Sequence, residues 1–191
     1  MSKVGSVVSM SNPLIDQAIE FATAAHEGQF RKGRRQEPYI HHPAEVAVIV
    51  AEAGGSEEEV IAAWLHDTVE DTPTTLMQIV DRFGHHIALI VDGLTDPKEF
   101  EPLPTLERKK RQAKRLGTKS ASVKRVKLAD QIANLSSLAT DPPTAWTLGK
   151  CLEYAEGIQL VAKACLGVNP LLDSKYHETS RAFARSLQQR K

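Results

Sequence analysis

His66 and Asp67 stand side by side in the sequence, and Glu70 and Asp71 follow four residues after each. On a continuous helix, residues four apart stack on one face with Cβ atoms about 5–6 Å apart. His66 would then lie under Glu70, and Asp67 under Asp71. An imidazole and a carboxylate about 100° apart around the axis can grip one ion placed over the groove between them. Acidic groups beside such an ion can orient a water molecule and take its proton. The pattern points to metal-dependent hydrolysis. The competing reading is an exposed helix end with ordinary acidic decoration. Ile61, Ala62, Ala63, Trp64 and Leu65 weigh against it, because charge that close to a buried apolar face must be paired or metal-bound.

A metal ion needs further ligands. Among the seven histidines, His42 belongs to the segment Pro38-Tyr39-Ile40-His41-His42-Pro43, where the proline stiffens the chain at the mouth of a helix. His85, His86 and His177 read as solvated or satisfied. Between Val123 and Leu138 a mostly apolar helix is interrupted by Lys127, Asp130 and Asn134, which share one face at spacings of three and four. Such a stripe faces water or lines an interior site, and its hydrophobic surroundings favour the site. Arg31, Lys32, Arg34 and Arg35 form the densest basic cluster near these motifs. Guanidinium groups there can bind phosphate or stack on a base, although a solvated basic loop is the plainer reading. The run Arg108 to Arg111 reads by default as an exposed helix face.

The elements that must position these residues are helices. Asn12-Pro13 caps a first helix ending near Glu27 and Gly28, and Pro43 opens a second that Gly54 and Gly55 stop. Ser56 and Glu59 form a capping box for a third, expected to run unbroken to about Asp71 because Pro73 disfavours helix in the residue before it. Thr75 and Gln78 cap a short helix ending at Gly84, and another segment covers Ile87 to Leu94. After a proline-marked loop come helices over Leu106 to Leu116 and Val123 to Leu138. A helix carrying Trp146 and Tyr154 follows, and Asn169-Pro170 opens a last helix, 170–190. The architecture expected is all-α, one domain over residues 1–191 with its motif core at 14–166.

Composition narrows the function classes. Lys plus Arg and Asp plus Glu both number 24, so the chain lacks the basic footprint of a general nucleic-acid binder. Cys151 and Cys165, read as lying on one helix, would be roughly 21 Å apart and unable to pair. No apolar run has the length of a membrane span or a signal peptide. A soluble cytoplasmic protein is expected, with no nucleic-acid or membrane partner and its oligomeric state open.

The strings AHEGQFRKG, PYIHHP, WLHDTVEDT and VKLADQIANL, in that order, resemble the hydrolase domain of the Rel and SpoT alarmone enzymes. The chain's length resembles that of the small, single-domain alarmone hydrolases of the HD superfamily, and the likeness covers Leu14 to Leu166. The resemblance implies that His42, His66, Asp67 and Asp130 hold one manganese ion, Mn2+, and that Glu70 and Asp71 are the catalytic acidic pair. It implies that Arg31, Lys32, Asn134 and Tyr154 line a nucleotide pocket, with phosphate contacts from the helix carrying Arg108 and Lys109. The implied reaction removes pyrophosphate from the 3′ position of (p)ppGpp or (p)ppApp. Rival expectations are an HD-type phosphatase acting on another nucleotide such as NADPH, and an inactive nucleotide sensor. Where the family often has Asp-Arg-Leu-His-Asn-Met-Arg, this chain reads Asp130 through Ser136 without the basic residues, which leaves the choice of guanine or adenine open.

Overall fold

A computed structural model describes residues 12–188, and the end of the expected 170–190 helix lies outside them. Among the described residues the chain forms nine helices, one 3₁₀ turn and two isolated bridges, Phe30–Pro38 and Gly33–Pro143, with no β-strand. The helices are α1 (Pro13–Ala25), α2 (His41–Glu52), α3 (Glu57–Leu65), α4 (Thr68–Asp71), α5 (Leu76–Leu94), α6 (Thr105–Leu116), α7 (Ala121–Thr140), α8 (Leu148–Lys163) and α9 (Pro170–Gln188).

Helix α3 sits at the centre, packed by α1, α2, α5 and α7, while α6 lies along α8 and α9 lies along α7. Its Ile61, Ala62, Ala63 and Leu65 are buried, as are Val46 and Val50 of α2, Ile79 and Val91 of α5, and Leu128, Ala129, Ile132 and Ala133 of α7. The alanines let the backbones of α3 and α7 approach, and that approach delivers polar residues of both helices to one interior point. Truncating a core residue such as Leu65 to Ala would cost about 2–5 kcal/mol.

Local signals place most of the boundaries. The Asn12 side chain accepts from the Leu14 amide, and reciprocal capping boxes form at Ser56 with Glu59 and at Thr75 with Gln78. Gly84 breaks α5 with φ 84° and ψ 165°, which separates the two segments expected on either side of it.

Several expectations need correction. The helix expected over 57–71 is interrupted at His66 and Asp67, where the Asp67 backbone departs to φ −98° and ψ −6° before α4 begins. Helix α2 starts at His41, so Pro43 lies in its first turn, where a missing N–H costs nothing. Trp146 precedes the α8 cap, Thr147, and Cys165 lies just beyond the end of α8. Both cysteines are nonetheless buried and unpaired.

Candidate active site

His42, in the first turn of α2, and His66 and Asp67, at the α3–α4 junction, present donor atoms that all lie within 4.8 Å of one another. Asp130 of α7 completes the group: its Oδ1 is 3.3 Å from His42 Nε2 and 4.0 Å from His66 Nε2. The interruption after α3 helps this convergence, because His66 Nε2 comes 3.1 Å from Asp67 Oδ2. His66 Nδ1 donates to the Ala63 carbonyl at 2.8 Å, which orients the ring and leaves Nε2 facing the carboxylates. That nitrogen is buried and makes no well-directed hydrogen bond. Two imidazoles and two carboxylates, all buried except the half-buried Asp67, converge in a mixed nitrogen and oxygen set that suits a divalent metal ion. Burial alone would favour neutral His66, but Asp67 and Asp130 push its imidazole up to about 9. Burial opposes ionisation of Asp130 too, yet Lys127 and the two histidines hold its carboxyl well below the usual range.

Glu70 and Asp71 stand beside this cluster and remain accessible to solvent. Glu70 Oε2 accepts from the Asp96 amide at 2.9 Å, which anchors it to the loop after α5. Burial of its surroundings raises the Glu70 carboxyl, against the opposing pull of Lys127 and that amide. Burial, with Asp67 and Glu70 nearby, pushes Asp71 up to about 6. A carboxyl with that value can hold or release a proton near neutrality. The Tyr39 hydroxyl donates to Asp67 Oδ2 at 2.7 Å and lies 3.4 Å from Asp71 Oδ2, so one group ties the cluster to the acidic pair.

A cavity of about 610 Å³ opens beside the cluster. Tyr39 and Asn134 are part of its wall, and Asn134 donates its amide to Asp130 Oδ1. Arg31, Lys32, Arg108 and Tyr154 line it too, together with Trp146 and Lys150. Arg31 is held by Ser137 at 2.8 Å, and Lys150 by Thr105 and Glu153, each at 2.9 Å. Arg108 has a buried Nε without a hydrogen-bond partner. The cavity thus combines cations with two aromatic rings that meet edge to face, their centroids 5.2 Å apart. Such walls suit a phosphorylated aromatic ligand.

Lys109 does not belong with them. It is buried between α6 and α8, its ammonium 5.7 Å from the Tyr154 ring centre, and is not part of the cavity wall. The run Arg108 to Arg111 is therefore not a uniformly exposed face. Arg35, read as plain surface charge, reaches the cavity rim and pairs with Glu37 at 3.0 Å.

Sequence reasoning assigned no role to several residues within the motif strings themselves. Tyr39 is one. His26 is buried with its ring 4.9 Å from that of Tyr39, and its Nδ1 pairs with Gln29, whose amide donates to the Asp71 carbonyl at 2.9 Å. His26 and Gln29 thus brace the acidic pair from behind. The available signal was an aromatic and two polar groups inside AHEGQFRKG and PYIHHP, but their partners lie far off in sequence.

The chain is similar to proteins of known family. Residues 18–150 match the model of the HD domain family. The guanosine-3′,5′-bis(diphosphate) 3′-pyrophosphohydrolase MESH1 of Xenopus tropicalis is 39% identical over 170 residues, covering 88% of this chain and 93% of that protein. The Homo sapiens protein of the same name is 40% identical over 159 residues, covering 82% and 87%. A solved structure of a metazoan orthologue of SpoT that hydrolyses ppGpp superposes with a TM-score of 0.83 at 30% identity, covering 90% of this chain and 96% of that one. This chain belongs to the HD domain family, in its Rel/SpoT-like branch alongside the MESH1 proteins.

Proposed function

We infer that this protein is a 3′-pyrophosphohydrolase of nucleotide alarmones, acting as one domain on (p)ppGpp or its adenine counterpart. The observation that carries the reading is the unbonded, buried Nε2 of His66 among His42, Asp67 and Asp130, with Glu70 and Asp71 adjoining and a cationic, aromatic cavity alongside. The names of the MESH1 relatives support the same substrate class.

His42, His66, Asp67 and Asp130 are assigned as the ligands of one divalent ion, with Mn2+ the ion that the resemblance to the Rel and SpoT hydrolase domain implies. Such an ion, when bound, polarises phosphate oxygens and acidifies water. Arg31, Lys32, Arg108 and Lys150 hold the phosphates, while Tyr154 and Trp146 offer faces to the base. Asn134 keeps Asp130 oriented toward the histidines. Glu70 and Asp71 orient the attacking water, and one of them accepts its proton. The oxygen of that water bonds to the phosphorus attached at the 3′ position, and the bond to the ribose 3′ oxygen breaks. The leaving oxygen takes a proton from the acidic pair or from solvent. Pyrophosphate and a nucleoside 5′-di- or triphosphate result. The two carboxyls share their protons, so the pair acts as a unit.

Among the described residues no helix is long and apolar enough to cross a membrane. Two buried, unpaired cysteines support the proposed cytoplasmic setting. The test is a panel with Mn2+ present: pyrophosphate release from ppGpp and ppApp, and phosphate release from NADPH. Pyrophosphate from either alarmone, abolished by Glu70→Gln, is expected. Phosphate released from NADPH alone would overturn the substrate class, and saturable binding without turnover would make the protein a sensor.

A further inference from the structure

Asp130 uses its two oxygens differently. Oδ1 faces His42 and His66, whereas Oδ2 lies 3.0 Å from the Lys127 ammonium and 2.8 Å from the Gln131 amide. Lys127 stands one helical turn before Asp130 on α7 and is itself buried, so its ammonium cannot swing into solvent. Beyond Asp130, the carboxylates of Glu70, Asp96 and Asp67 are near enough to act on this ammonium. Glu70 and Asp96 are also joined to each other through the Asp96 amide. A carboxylate shared between two positive centres, with further carboxylates beyond the second, is how two-ion hydrolytic sites are built, their ions about 3.5–4 Å apart. Here the second positive centre is a side chain.

We propose that Lys127 is a positioning residue that occupies the place of a second cation, limits the site to one divalent ion and holds Asp130 to a single coordinating oxygen. The inference rests on the proposed metal site. A lysine that merely filled space would behave differently when replaced, because its loss would loosen Asp130 and weaken ion binding. A lysine standing in for a cation repels the bound ion, so its loss strengthens binding and frees ligands for another.

The experiment counts Mn2+ on the purified full chain by electron paramagnetic resonance of the unbound ion. Wild type is expected to take one ion. Lys127→Ser, which leaves both room and uncompensated carboxylates, is expected to take two, with kcat for pyrophosphate release falling at least about ten-fold because Asp130 and Glu70 are drawn to the second ion. Lys127→Arg keeps the charge and stays at one ion. If Lys127→Ser does not fold, Lys127→Met fills the volume without the charge and binds its single ion about ten-fold more tightly than wild type. One ion on Lys127→Ser, or weaker binding in Lys127→Met, overturns the proposal. Wild-type protein that takes no Mn2+ overturns it together with the metal site, whereas wild type that binds one ion but releases no pyrophosphate overturns only the reaction assigned above.

Discussion

Replacing Tyr39 with Phe isolates one hydroxyl. The ring remains to pack 4.9 Å from His26 and 5.9 Å from His42, so the local fold keeps its shape. What disappears is the 2.7 Å bond to Asp67, together with the 3.4 Å contact to Asp71. Burial and the neighbouring carboxylates hold the phenol far above its ordinary value, so it remains a neutral donor at any working pH. A hydrogen bond to a charged group contributes about 1.5–3 kcal/mol. If the whole of that serves to aim Asp67, its loss corresponds to a decrease of about 10- to 100-fold in ion affinity or in turnover. The assay is pyrophosphate release across a Mn2+ titration, with thermal unfolding of the ion-free chain as control. Tyr39→Phe should need more Mn2+ or turn over more slowly, at nearly unchanged ion-free stability. Wild-type turnover at wild-type Mn2+ demand would refute the assignment of Tyr39 as the link between cluster and acidic pair.

Other perturbations read different parts of the molecule. A methyl group on Gly33 would fall 2.1 Å from Asp141 Oδ2 and 2.8 Å from its carbonyl oxygen, so Gly33→Ala should displace the cavity rim and raise KM more than it lowers kcat in steady-state kinetics. Burial depresses Lys109 to about 8 from 10.5, so the native chain binds fewer protons than the unfolded chain between those values and stability rises with pH across them. Lys109→Met should therefore stabilise by about 1–3 kcal/mol in denaturant unfolding below pH 8, with the gain fading by about pH 10.5. Mn2+ at about a hundred times its Kd should stabilise the native chain by about 2.7 kcal/mol, raising Tm by about 5–10 °C, and a chelator should remove that increment.

The proposed ligands and the acidic pair could be named because each lies in a short string that resembles a known motif, even where, as from His66 to Asp71, the string crosses a helix break. The helical fold was equally legible, since Asn12, Ser56, Thr75 and Gly84 mark boundaries through local backbone chemistry. What escaped depends on contacts across elements. The unbroken helix expected through Asp71 followed from an apolar run, but convergence on one point favours a turn at His66 and Asp67. Lys109 looked like surface charge because its neighbours are charged. Its burial is set by α8, where Gly157 leaves room for it: a Cβ there would lie 2.7 Å from Lys109 Cγ. Asp96 sits in a loop with no periodic signal, and only the fold brings its amide to Glu70.

The central claim is that water attacks the phosphorus at the 3′ position and that pyrophosphate leaves from the ribose. Turnover of ppGpp in ¹⁸O-enriched water with Mn2+, followed by mass spectrometry of both products, tests it most directly. One ¹⁸O atom in each pyrophosphate and none in the nucleoside diphosphate is the result expected. Label in orthophosphate, or in the ribose hydroxyl of the nucleotide, would contradict the account.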